Sequence, residues 1–383
     1  MSVDYQIDLR PITSGFDGET CWVHARAGAI PGAGEEGRPA VVTTMQKLLL
    51  SGSDVFYTIH DMRTDDLGES WTGPSPHEGL GRWDEGGGVT GAVCDVTPGW
   101  HAATQTLLAT GHTVYYRDDT GPVHVRPRAT AYSVYDPDAR TWSAARLLEM
   151  PEEQRFVNAG AGCTQRFDLG NGTILLPIYF RPDVEEAHSE ATVLRCAFDG
   201  ETLQVLEMGN ALACEDPRGM GEPSITRFQD RYYLTLRNDV RGYVSVSDDG
   251  LHFEEPVAWR FDDGEELGSY NTQAHWLTHS DALHLVYTRR GLDNDHVFRH
   301  RAPLLAAEVD PERLCVIRDT ERVAVPERGA RLGNFGVCEV SENESWIIAA
   351  EWMQPAGCEE YGSDNTVWAA RILWDRPNRG YRA

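Results

Sequence analysis

Short runs rich in Val, Ile, Thr, Tyr and Trp recur along the chain between clusters of Gly, Asp and Pro. Hardly any segment keeps a helical period of apolar positions for about twelve residues. The alternation predicts strands over Ala40–Met45, Val55–His60, His112–Arg117, Thr130–Tyr135, Thr173–Phe180 and Thr192–Phe198. It predicts more over Tyr232–Arg237, Tyr243–Ser247, Leu283–Arg289, Arg322–Val325, Trp346–Glu351 and Thr366–Leu373. The architecture expected is all-β.

A short motif refines this. Thr64-Asp65-Asp66-Leu67-Gly68-Glu69-Ser70-Trp71 has the form of an Asp-box turn, and Ser247–Phe253 and Tyr135–Trp142 are variants of it. The aspartate of such a turn accepts backbone N–H groups while the aromatic packs beneath, so each box marks the outer hairpin of a propeller blade. At roughly 40 to 55 residues per blade the length gives about seven blades. The expectation is a seven-bladed β-propeller, sialidase-like, with residues 1–383 as one domain.

Composition narrows the partners. The 34 basic and 60 acidic residues leave a net charge of −26, which disfavours nucleic acid and anionic membranes. The eight cysteines are scattered with no CxxC pair, so neither a zinc site nor a disulfide framework is signalled. The first residues carry charges throughout and no apolar leader, and the expected location is the cytoplasm. Gly32–Gly37 spells GxGxxG, but two glutamates stand where a pyrophosphate would approach.

The stretch Cys94–Arg117 has the grammar of a hairpin, with Thr97-Pro98-Gly99 as a turn and His101 and His112 beside Tyr115 and Tyr116. Histidine titrates near neutrality and a tyrosine hydroxyl relays a proton, so this is a candidate acid–base site. His24 and Arg26 lie two apart, on one face if that segment is a strand. Tyr179 and Arg195 each interrupt an apolar run. Arg166, Arg237, Tyr243, Asn271, Gln273, His275, His296, Arg301 and Arg331 complete a vocabulary of groups that suits hydroxyls and carboxylates. His and Asp at a propeller channel also leave room for a divalent cation; no other cofactor is indicated.

The segments HARAGAIPG, DVTPGWH, TGHTVYY, LLPIYF, YYLTLRND, YNTQAHW, NDHVFRHRAPL and ERGARLGNFGV together resemble the sialidase-like propellers that act on rhamnosyl-glucuronate ends of plant polysaccharides. These are L-rhamnose-α-1,4-D-glucuronate lyases and α-L-rhamnosidases, more distantly similar to ulvan lyases. The resemblance implies β-elimination at a uronate, with His101 or His112 as base and acid, Tyr179 assisting and Arg195 neutralising the carboxylate. A hydrolytic alternative uses His24, on the opposite propeller face, to release rhamnose. A third reading is a glycan-binding propeller without turnover. The expected partner is a uronate-containing oligosaccharide, and the expected assembly a monomer or small homo-oligomer.

Overall fold

The computed structural model describes residues 3–123, 127–182 and 188–383. Alternating strands zip into six antiparallel sheets, each a blade. Blade 1 runs through Thr20–Ile30, Ala40–Leu49, Phe56–Thr64 and Thr72–Pro76, and its successors repeat the inside-to-outside order. The innermost segments begin at Thr20, Val89, Asn158, Gly221, His275 and Gly336. The sixth blade takes its outer strand, Tyr5–Thr13, from the start of the chain, paired antiparallel with Val367–Trp374. That pairing closes the ring.

The blade number corrects the expected seven. Inner segments lie 54 to 69 residues apart, because long loops at one end of the blades lengthen each repeat. The Asp turns explain their own distribution. Asp66, Asp136, Asp199, Asp249 and Asp310 each accept at least two nearby backbone or hydroxyl protons between the third and fourth strands of blades 1 to 5. Blade 6 has no such turn among the described residues, since its fourth strand arrives from the N-terminus.

Apolar clusters fill the seams between successive blades. Met45, Val41, Trp346 and Ile348 close the seam of blades 6 and 1; Ile174, Leu176, Phe180 and Leu194 fill that of blades 2 and 3. Each fully buried side chain of this size contributes about 1.5–3 kcal/mol. Among the described residues no helix is long and apolar enough to cross a membrane. The eight cysteines are free thiols.

Candidate active site

Six inward-facing residues, one per blade, adopt left-handed backbone at one end of the channel: His24 (φ 55°), Asp95 (57°), Cys163 (59°), Glu222 (43°), Asn271 (58°) and Asn334 (61°). In blades 1, 2 and 4 the strand register slips at this residue, the mark of a bulge. A bulge re-aims one side chain without ending the strand. Asn, Asp and His tolerate the left-handed region; for Cys and Glu it costs about 1–2 kcal/mol. Left-handed backbone repeated at one level of all six blades, with strain at Cys163 and Glu222, points to a site.

Asp95 is the hub. Its Oδ1 accepts from the Cys163 thiol at 2.7 Å and lies 3.2 Å from His24 Nδ1 and 3.6 Å from Arg26 Nη2, while Oδ2 is 3.4 Å from His112 Nε2. Burial pushes this carboxyl up, but His24, His112 and Arg26 together hold it well below the usual range. Arg26 is fully buried and crosses the channel, donating to Cys163 Sγ at 3.0 Å and to the Phe335 carbonyl at 3.2 Å. Gly336 makes room for it, since a Cβ there would stand 2.8 Å from Arg26 Cγ.

His112 and Tyr179 form the reactive edge. The Tyr179 hydroxyl is 3.3 Å from His112 Nδ1. With Nε2–H turned toward Asp95, Nδ1 is the acceptor and the phenol the donor. That is an Asp–His–hydroxyl relay of the kind that activates a nucleophile or base. Burial raises the Tyr179 phenol, and burial lowers His112 against the pull of Asp95, so both rest neutral near pH 7. The Arg128 guanidinium lies over the Tyr179 ring, 4.1 Å from its centroid. The glycines of Ala159-Gly160-Ala161-Gly162 allow this approach: a Cβ on Gly162 would sit 2.4 Å from the His112 ring, and one on Gly160 2.8 Å from Arg128 Cδ. Gly162→Ala is therefore expected to displace His112 and cut turnover at least about tenfold with the fold retained, checked by a crystal structure of the variant beside its kinetics.

Arginines converge across the same mouth. Arg237 pairs with Glu222 and donates to Asn271 Oδ1 and Asp239 at 3.3 Å; Arg301 donates to the carbonyl and, at 3.1 Å, to the side chain of Asn271. Arg331 stacks on Trp352 at 4.0 Å and donates to Gln354 at 3.1 Å. Burial, then repulsion from Arg237 and Arg331, depresses Arg301; burial lowers Arg331 to about 10. Cations this crowded favour an anion between them. Tyr179, Arg128, Glu222 and Arg237 share a pocket of about 60 Å³, room for a carboxylate but not a whole sugar.

The divalent cation finds no such welcome. Cys94, Asp95 and His112 are the one trio among the described residues close enough to share an ion. The Asp95 oxygens, however, face a thiol, two imidazoles and the Arg26 guanidinium. This donor set fits a counter-ion network and not a coordination sphere.

The other residues named from the sequence are distributed as follows. His24 belongs to the Asp95 cluster on the same face as His112, not the opposite one; its Nε2 meets Asn334 Nδ2 at 2.9 Å. His101 does not join His112. Thr97-Pro98-Gly99 is not a turn but the middle of the Val89–His101 strand, which pairs Cys94 with His112 and His101 with Thr106. His101 therefore sits at the other channel end, with Nδ1 2.7 Å from Thr104 Oγ1. Arg166 is at that end too, donating to the Gly99 carbonyl at 2.6 Å. Arg195 lies on an outer strand, paired with Glu207 at 2.7 Å, too remote to neutralise a carboxylate at Tyr179. Tyr243 donates to Asp216 at 2.6 Å. His275 braces blade 4 against blade 6 through Ser224 at 2.8 Å and the Phe335 carbonyl at 3.1 Å. Gln273 is buried beside Thr272 and Asn334. His296 stands on the rim, 2.9 Å from Glu327 and stacked on Tyr361. Asp95 and Cys163 were not singled out from the sequence, though Asp95 lies inside the stretch that was.

Burial pushes His24 down to about 4, His275 to about 3 and His284 to about 4. Between about pH 4 and 6.5 the unfolded chain binds more protons than the folded one, so stability must fall as pH drops through that window. Melting curves across it are expected to show a steep acid-side loss, with uptake of about three protons on unfolding from these groups.

The structure is a six-bladed β-propeller similar in fold to solved sialidases. The chain superposes on Trypanosoma rangeli sialidase with a TM-score of 0.59 at 11% identity, covering 97% of this chain and 60% of that one. NanB sialidase from Streptococcus pneumoniae gives 0.60 at 11% identity, covering 95% and 70%. A protein of unknown function from Dyadobacter fermentans gives 0.64 at 13%, covering 95% and 99%. No family model matches the sequence, nor does any curated protein. The sialidase-like part of the resemblance thus stands at the level of fold, and nothing in these comparisons ties the chain to rhamnosyl-glucuronate enzymes.

Proposed function

We propose that this protein cleaves glycosides of an acidic sugar, with the arginine arc gripping the sugar carboxylate and Tyr179 performing the chemistry. The observation that carries this is the Asp95–His112–Tyr179 relay opening into the pocket it shares with Arg128, Glu222 and Arg237.

The form favoured is β-elimination at a uronate. Arg237 and Arg301 neutralise the carboxylate, which makes the C5 proton removable and stabilises the developing enolate. Tyr179 takes that proton as its own passes to His112, and Asp95 steadies the imidazolium. The C4–O bond breaks, a C4=C5 double bond forms, and the proton returns through Tyr179 to the departing oxygen. A rhamnosyl-glucuronate end is one terminus of this class. Neutralisation falls to the arc because Arg195 is elsewhere.

One observation favours a second form. A solved neighbour is a Trypanosoma rangeli sialidase with difluorosialic acid, described as a covalent intermediate. An activated Tyr179 hydroxyl suits nucleophilic attack on such a sugar equally well. Mass spectrometry of the products separates the two: an unsaturated uronate supports elimination, and a saturated acidic sugar with one added water supports hydrolysis. Intact substrate after prolonged incubation with both a rhamnosyl-glucuronate and a sialoside would sink the proposal.

A further inference from the structure

A cavity of about 440 Å³ lies not at the ring but at the opposite channel end, and all six blades line it. Two cross-channel ties wall it off. Arg26 spans the channel beneath the ring, and Gln165 of blade 3 both donates to the Trp276 carbonyl at 3.0 Å and accepts from its N–H at 2.8 Å. The cavity is a separate space with its own mouth.

Its lining is built for a hydroxylated anion. Arg166 sits at the wall with the Gly99 carbonyl as its hydrogen-bond acceptor and Asp168 within electrostatic reach; burial brings its pKa down to about 10. Gly99 lets Arg166 lie close, since a Cβ there would stand 2.9 Å from its guanidinium. Thr226 and the half-buried Thr278 line the same space, their hydroxyls 2.7 Å apart. Glu339 opens into the same space, where burial pushes its carboxyl up to about 7 against the pull of Arg382, so its repulsion of an anion is muted near neutrality. Phe167 and Tyr381 supply flat apolar surface. The chain's end builds one wall: Asn378 donates to the Thr278 carbonyl at 3.1 Å and accepts from Ser280 N at 2.8 Å, and Arg382 reaches the Asp168 carbonyl at 3.0 Å.

We infer that this cavity is a second ligand site, for a sugar acid of one or two rings, in which Arg166 receives the carboxylate and the Thr226–Thr278 hydroxyl pair bonds a ring hydroxyl. A cavity of this size lies within the range of small-molecule sites. The inference stands independently of the chemistry at the ring.

Calorimetric titration of the full chain with D-glucuronate tests it, using the wild type, Thr278→Val, Arg166→Gln and Arg237→Gln. Expected is saturable binding that survives Arg237→Gln, a change at the ring, and weakens at least tenfold in Arg166→Gln and severalfold in Thr278→Val. Thr278→Val is nearly isosteric and keeps the test decisive if Arg166→Gln fails to fold. Absence of binding in Arg237→Gln, or binding indifferent to both cavity substitutions, would overturn the inference.

Discussion

Tyr179→Phe is expected to yield a folded protein whose turnover falls by about 10²–10⁴ with KM little changed. Removing one hydroxyl from a side chain 8% exposed leaves the ring packed beneath Arg128. The cost to stability is about 1 kcal/mol, the value of one hydrogen bond whose partner can pick up water. What disappears is the atom that exchanges a proton with both His112 and substrate, a contribution realised in the transition state and therefore visible in kcat. Steady-state kinetics beside a melting curve separates the two effects. A variant that turns over at more than a tenth of the wild-type rate would remove Tyr179 from the mechanism.

Asp95→Asn is expected to damage both activity and fold. The wild-type carboxylate balances Arg26, which is 0% exposed and has no other carboxylate within ion-pair distance among the described residues. Neutralising one partner of a buried pair leaves the other charge uncompensated, at about 3–5 kcal/mol. Because the Asp95 carboxyl is held below its ordinary range, its contribution to stability is present above the unfolded value and lost as pH falls through the folded one. The asparagine variant never gains it. It also loosens the His112 tautomer, since an amide can offer a donor to Nε2 where the carboxylate only accepts. Urea unfolding of wild type and variant at pH 7 measures the first effect, and kcat of whatever remains folded measures the second. Unaltered stability would show that Arg26 is balanced elsewhere.

Outer and middle strands were legible in the sequence as unbroken runs of strand-forming residues: Thr173–Phe180 was expected, and Thr173–Arg181 is observed. The channel strands were harder. Val89–His101 contains Asp95 in left-handed backbone and then Thr-Pro-Gly, which together read as a turn. The bulge at Asp95 lets the strand continue through them, and the real turn comes after His101, at residues 102–105. The register keeps the two histidines apart, with His101 at the hairpin end opposite Thr106 and His112 further along, opposite Cys94. The blade count failed for a related reason, since Asp boxes mark outer turns but say nothing of long loops such as the one between Tyr287 and Leu304 that carries Arg301 to the mouth. Tyr179 was visible as a polar residue inside an apolar run, and Arg237, Asn271, Arg301 and Arg331 as members of polar strings that suit hydroxyls and carboxylates. Asp95 and Cys163 were not, because a lone Asp and a lone Cys have no spacing to announce them, and what unites the ring is a backbone conformation repeated every blade.

The most direct test of the account is the cleavage of a rhamnosyl-glucuronate and a sialoside, each as the free acid and as its methyl ester, by wild type and Tyr179→Phe. The prediction is cleavage of at least one free acid, loss of at least about a hundredfold on esterification because the arginine arc loses its anion, and comparable loss in the variant. An ester cleaved as fast as the acid, or activity that persists without the Tyr179 hydroxyl, would contradict it.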